Sequence, residues 1–290
     1  MTVEATGEAA AGSAGAQAHV DAVVAQSKTS FLAGMRILPK PRREAMYAIY
    51  AFCREVDDVA DEPGALPDKL RELELWRSEV EALYAGRPTR PTTRALVRPI
   101  ADYRLPKAEF LAIVDGMEMD ARGPIVAPDA ETLKLYCRRV AGAVGQLSIR
   151  AFGASGPEAE ALAVAEGEAL QLTNILRDQA EDAADGRLYL PAEALAAAGI
   201  ATRDPNAVLT HPKVGEARRR VAEQAKQRFA ESRALIARIP RADIKPAILM
   251  LEVYWRLLRK MERRGWQQVL PRVRLSKAAK LWVLLRYGLF

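Results

Sequence analysis

Only two cysteines, Cys53 and Cys137, and two histidines, His19 and His211, occur in the 290 residues. Each cysteine stands alone inside a helix-forming stretch, so neither a disulfide framework nor a CxxC metal or redox site is available, and a reducing, cytoplasmic setting fits. His19 falls in a leader of small residues and His211 in a proline-bounded loop. Neither is placed as a catalytic base, and there is no HExxH zinc helix and no GxSxG elbow. Phosphate-cradling glycine loops are missing too, with no GxxxxGK[ST] and no GxGxxG behind a strand. No window approaches the ~20 apolar residues that a membrane span needs, and no basic start leads into an apolar signal region. Without zinc-finger spacing or an aromatic RNA-binding signature, nucleic acid is not expected as a partner.

What remains is a chain that is 50% hydrophobic with a net charge of +6. Its apolar residues are mostly Ala, Leu and Val, strong helix formers fill the stretches between prolines, and β-branched runs are scarce, which predicts an all-α fold. The positive balance favours anionic partners such as phosphates or acidic lipid surfaces. Residues 1–20 offer almost nothing large to bury and read as a disordered leader, and residues 21–290 read as one helical domain of nine or ten helices. A helix over 42–61 places Ala45, Ile49, Phe52 and Val56 on one face, and a helix over 158–182 does the same with Leu162, Ala165, Ala169, Leu172 and Leu176. Near the C-terminus Lys277, Lys280 and Arg286 alternate with Leu281, Trp282 and Leu285. This short basic amphipathic helix reads either as a closing helix or as a membrane-surface contact.

The polar stripes of the two long helices carry the chemistry. In YAFCREVDDVAD, Tyr50, Arg54, Asp57 or Asp58, and Asp61 share a helix face. Asp57 and Asp61 are about 6 Å apart along the axis. Like charges at that spacing repel. The stripe is either a solvated acidic face or a site for Mg²⁺, which takes hard oxygen ligands, keeps several waters and bridges carboxylates to phosphates. In LQLTNILRDQAEDAADGRLYLP, Asn174, Asp178 and Asp182 stand at every fourth position with Arg177 beside them, flanked by apolar Leu170, Leu172, Ile175 and Leu176. The amide lowers the repulsion while offering another oxygen. Two such rows facing each other across a helical bundle would hold metal ions around an anionic diphosphate. Arg54, Arg177 and Arg187 are the candidate phosphate clamps. For Arg187 the alternative is a loop salt bridge to Asp182 or Asp185.

The stretches SFLAGMRILP, YAIYAFCREVDDVADEP, YCRRVAGAVG and LQLTNILRDQAEDAADGRLYLP, in that order and spacing, resemble the squalene and phytoene synthase family, from about residue 27 to 282. The finer pattern, including DGMEMDA and KLWVLLR, is most similar to the bacterial branch that serves hopanoid synthesis. The resemblance implies an isoprenoid-synthase-type helical bundle with a central cavity. It implies a transferase that joins two farnesyl diphosphates head to head, uses two or three Mg²⁺ and no NADPH, and feeds downstream squalene-forming enzymes. It implies Asp57, Asp61, Asn174, Asp178 and Asp182 as metal ligands, with Asp57, Asp61, Asp178 and Tyr136 catalytic. Tyr136 would be a proton acceptor or cation stabiliser, while Phe31 and Tyr50 would line the cavity and Arg54, Arg177 and Arg187 would bind phosphate. Phe31 and Tyr136 also read as plain core packing. Other readings are a phytoene synthase taking geranylgeranyl diphosphate, a complete squalene synthase, and a non-catalytic lipid-binding assembly factor. With no membrane anchor, contact with the inner membrane face would be peripheral.

Overall fold

A computed structural model describes the backbone of residues 3–27 and 31–289, and the side chains of residues 15–27, 32 and 34–288. About 77% of it is helical, with no strand among the described residues. The helices are α1 (Val3–Gln26), α2 (Phe31–Arg36), α3 (Lys40–Asp61), α4 (Leu66–Tyr84), α5 (Pro91–Tyr103), α6 (Lys107–Ala121) and α7 (Ala130–Cys137). They continue with α8 (Ala143–Phe152), α9 (Pro157–Ala184), α10 (Ala192–Ala197), α11 (Pro205–Thr210), α12 (Val214–Ile236), α13 (Lys245–Arg264) and α14 (Lys277–Leu284). That is more than the nine or ten expected, because α2, α10, α11 and α14 have only six to eight residues. Such lengths are too short for a 3.6-residue period to declare itself.

The two long motif helices run close to their expected bounds. On α3 the stripe Ala45, Ile49, Phe52 and Val56 is fully buried. Phe52 meets Trp76 of α4 and Phe110 of α6 edge-on, with ring centroids 5.4 and 4.9 Å apart, which locks three helices together. Helix α9 crosses the molecule. Its N-terminal half packs Ala159 and Leu162 into the core formed by α3 to α6 and α8. Its C-terminal half packs Leu172, Ile175 and Leu176 into the core formed with α12 and α13. The close approach of α8 and α9 depends on glycine: a Cβ on Gly145 would stand 2.6 Å from the Ala163 carbonyl oxygen, and one on Gly167 2.9 Å from the Ala141 backbone. No side chain fits there.

Across the stretch 1–20, read as a leader, the described residues are helical. Helix α1 begins at Val3 and continues past Asp21. Ala16, Val20 and Val24 are buried. Small as they are, these residues recur at every fourth position, and that makes a stripe narrow enough to pack closely on α3 and α5. Between α7 and α8 the chain winds into a π-turn, Arg138–Gly142, in which Val140 and Ala141 turn toward a central cavity. Such turns recur at functional sites.

Candidate active site

Helices α3, α8, α9 and α13 enclose an apolar cavity of about 300 Å³, at the lower end for small-molecule sites. Its wall includes Tyr50 and Cys53 of α3, Gln171 and Asn174 of α9, and Tyr254 of α13. Tyr50 lies on the wall of this cavity. Phe31 opens α2, and its side chain lies outside the described residues. The Cys53 thiol is pushed up to about 12 by burial and then by the Asp57 charge, so it stays protonated and is not a nucleophile.

Above the cavity the two acidic rows converge. On α3, Arg54 forks between Asp57, 3.1 Å away, and Asp58. Burial pushes the Asp57 carboxyl up to about 6; Asp61 adds to this, Arg54 opposes it, and Asp120 and Asp58 add further. On α9, Arg177 grips Asp178 with two bonds of 2.7 and 2.5 Å. Asp182 is pushed up to about 7, first by burial and then by Asp178, with Arg187 opposing. These carboxyls are crowded beyond what the nearby arginines neutralise.

Arg187 links the rows. It does not pair with the side chain of Asp182 or Asp185; its guanidinium instead reaches across to Asp61, 3.1 Å away. Two backbone bonds place it. Leu188 donates to Ile125 O and Ala127 donates to Leu188 O, both at 2.8 Å, so the segment after α9 is pinned beside the one after α6.

Three residues that sequence reasoning did not single out complete the site. Asp120, at the end of α6, accepts from the hydroxyls of Tyr136 at 3.0 Å and Tyr189 at 3.1 Å. The two rings stack with centroids 5.1 Å apart. Burial raises Asp120, while Arg187 and the two hydroxyls hold it down. Burial and then the Asp120 charge raise Tyr136 well above the ordinary tyrosine range, so its phenol stays neutral. The third is Arg272, whose Nε donates to Asp178 at 2.8 Å and whose Nη1 lies 3.0 Å from Glu181. Asp120 and Tyr189 were visible inside DGMEMDA and GRLYLP as polar groups at the ends of apolar runs. Arg272 gave no signal, because nothing local ties it to α9.

Asn174 stands where the cavity meets the second row. Its Oδ1 is buried without a hydrogen-bond partner, and its Nδ2 makes only a long 3.4 Å contact to Gln171. A buried carbonyl oxygen left open in this way is costly unless a cation or donor arrives. Among the described residues no three carboxylate, histidine or cysteine side chains converge closely enough to hold an ion by themselves.

The sequence matches the squalene/phytoene synthase family over residues 24–279. It is 47% identical to presqualene diphosphate synthase of Zymomonas mobilis subsp. mobilis, over 89% of this chain and 88% of that one. To presqualene diphosphate synthase of Rhodopseudomonas palustris it is 42% identical over the whole of both chains. Phytoene synthases are more distant, as in Rhodobacter capsulatus at 33% over 88% of this chain and 76% of that one. The fold is similar to that of a squalene synthase from Alicyclobacillus acidocaldarius, with a TM-score of 0.80 and 29% identity over 87% of this chain and 95% of that one. With the all-helical frame, the paired acidic rows and the apolar cavity beneath them, this chain belongs to the squalene/phytoene synthase family.

Proposed function

We propose that the protein joins two farnesyl diphosphates head to head into presqualene diphosphate and releases one diphosphate, as the names of its 47% and 42% identical relatives support. The observation that carries this reading is an apolar cavity lined by Tyr50, Cys53 and Asn174, on the same two helices that carry the arginine-laced acidic rows within a turn or two of those residues. One end suits a prenyl chain and the other a diphosphate.

Asp57 and Asp61 on one side, and Asn174, Asp178 and Asp182 on the other, are the residues that would hold Mg²⁺. The open Asn174 oxygen and the crowded carboxyls fit a cation that takes hard oxygen ligands. When bound, Mg²⁺ withdraws charge from the diphosphate and makes it a better leaving group. Arg54, Arg177 and Arg187, together with Arg272, bind the diphosphate oxygens; in the free protein their guanidiniums rest on Asp57, Asp178 and Asp61. Tyr136 stays neutral and donates its hydroxyl hydrogen bond to Asp120, so its lone pairs serve to stabilise developing positive charge. That favours cation stabiliser over proton acceptor. The apolar wall excludes water, which would otherwise capture an allylic cation as an alcohol.

Among the described residues no helix is long and apolar enough to cross a membrane. Contact with the inner membrane face would instead run through α14, which buries Val283 and exposes Leu281 and Trp282, each more than half accessible, beside Lys277 and Lys280.

The test is to incubate the full chain with Mg²⁺ and farnesyl diphosphate, without NADPH, and identify the product by mass spectrometry. A thirty-carbon diphosphate is expected, lost on adding EDTA, and lost in Asp178→Ala with the helical circular dichroism unchanged. Phytoene from geranylgeranyl diphosphate as the main product, or a fully active Asp178→Ala protein, would sink the assignment.

A further inference from the structure

Glu166 belongs to neither acidic row, yet it stands in the same series of fourth residues on α9: Glu166, Leu170, Asn174, Asp178, Asp182. It lines the cavity with Leu170 and Asn174. By helical rise it lies about 12 Å below Asn174 and about 18 Å below Asp178. Ala163, almost a turn deeper, lines the cavity as well, so the carboxyl interrupts the apolar wall before its inner end. The residue is 7% exposed. Burial holds its carboxyl well above the usual carboxylate range, opposed among the described residues by the backbone of Leu251 on the facing α13.

A carboxyl in such a wall, already nearly out of solvent, still needs a hydrogen-bond partner on its cavity side. Each isoprene unit contributes four chain bonds of about 1.5 Å, or roughly 5 Å of extended length. Measured from the Asp178 level, three units stop short of Glu166 and a fourth passes over it. A fourth unit would therefore lay hydrocarbon against the cavity side of the carboxyl, leaving a buried polar group short of a partner. A leucine in its place would oppose nothing.

We infer that Glu166 is a specificity-determining residue that limits the prenyl chain to three isoprene units by placing a polar group where the fourth would lie. The inference rests on the farnesyl diphosphate reading above. The experiment is a competition between farnesyl and geranylgeranyl diphosphate with the full chain and Mg²⁺, read as the ratio of kcat/KM values from the product masses. The wild type is expected to select farnesyl diphosphate. Glu166→Leu is expected to shift the ratio toward geranylgeranyl diphosphate by about tenfold or more. Glu166→Gln, still polar, keeps the wild-type ratio. Glu166→Met provides the same apolar test should the leucine variant fold poorly. A wild type selective for farnesyl diphosphate, with Leu or Met variants equally selective, would overturn this inference and leave the proposed function standing. A wild type that prefers geranylgeranyl diphosphate would overturn both.

Discussion

Replacing Arg218 with methionine should both loosen the fold and disarm Arg272. Arg218 is 1% exposed, and its guanidinium meets no carboxylate. It donates instead to the carbonyls of Trp266, of Gln268 at 3.1 Å and of Leu176 at 2.9 Å. Burial, and then repulsion from Arg264, pull it down to about 10 from 12.5. Keeping that charge buried costs about 3 kcal/mol, at about 1.4 kcal/mol for each pKa unit. Three charge-assisted bonds at about 1.5–3 kcal/mol each outweigh the cost and leave a net gain of about 1.5–6 kcal/mol. Those bonds tie α12 and the C-terminal half of α9 to the segment after α13, and Arg264 holds the same segment through Gln268, Val269 and Pro271. The next residue is Arg272, on Asp178 and Glu181. Arg218→Met is therefore expected to lower Tm by about 3–24 °C in a thermal circular dichroism melt, on the scale of about 2–4 °C per kcal/mol that holds for chains of about 150–250 residues. It should also reduce kcat/KM, and adding Arg272→Ala should cost little more, since both changes remove the same contact. A variant that melts like the wild type, or a double variant whose two activity losses simply add, would refute the reasoning.

Two further outcomes follow from the same geometry. Asp120→Asn removes the carboxylate that orients the Tyr136 and Tyr189 hydroxyls, so steady-state kinetics should show kcat reduced about 10²-fold or more with KM nearly unchanged; equal losses through KM would assign Asp120 to substrate binding. Trp282→Ala should weaken co-sedimentation with anionic phospholipid vesicles several-fold without altering turnover of detergent-dispersed substrate, and unchanged sedimentation would remove α14 from the membrane contact.

Local pattern carried a large part of this protein. The apolar spacing of Ala45, Ile49, Phe52 and Val56 put α3 in place, and the spacing of Leu162, Leu172 and Leu176 did the same for α9, because a 3.6-residue period repeated over about three to four turns can hardly arise from another backbone. Since Asp57, Asp61, Asn174, Asp178 and Asp182 lie on those two helices, their rows were legible as well. Short helices were not, and neither was the helical character of the stretch before Asp21, where alanine and valine bury a stripe that composition alone reads as featureless.

Contacts between segments remote in sequence were decided only by the tertiary structure. Arg187 and Asp61 are separated by 126 residues, Arg272 and Asp178 by 94, and Tyr189 and Asp120 by 69. Which cation meets which carboxylate depends on how α3, α6 and α9 cross and where the loops after them are pinned. The periodicity of one helix holds no information about that. The amino-acid sequence by itself determined which side chains share a face, since that follows from the geometry of a single helix. Only packing decided that the faces meet over an apolar cavity, that Arg187 spans them, and that Glu166 stands two turns deeper in the same wall.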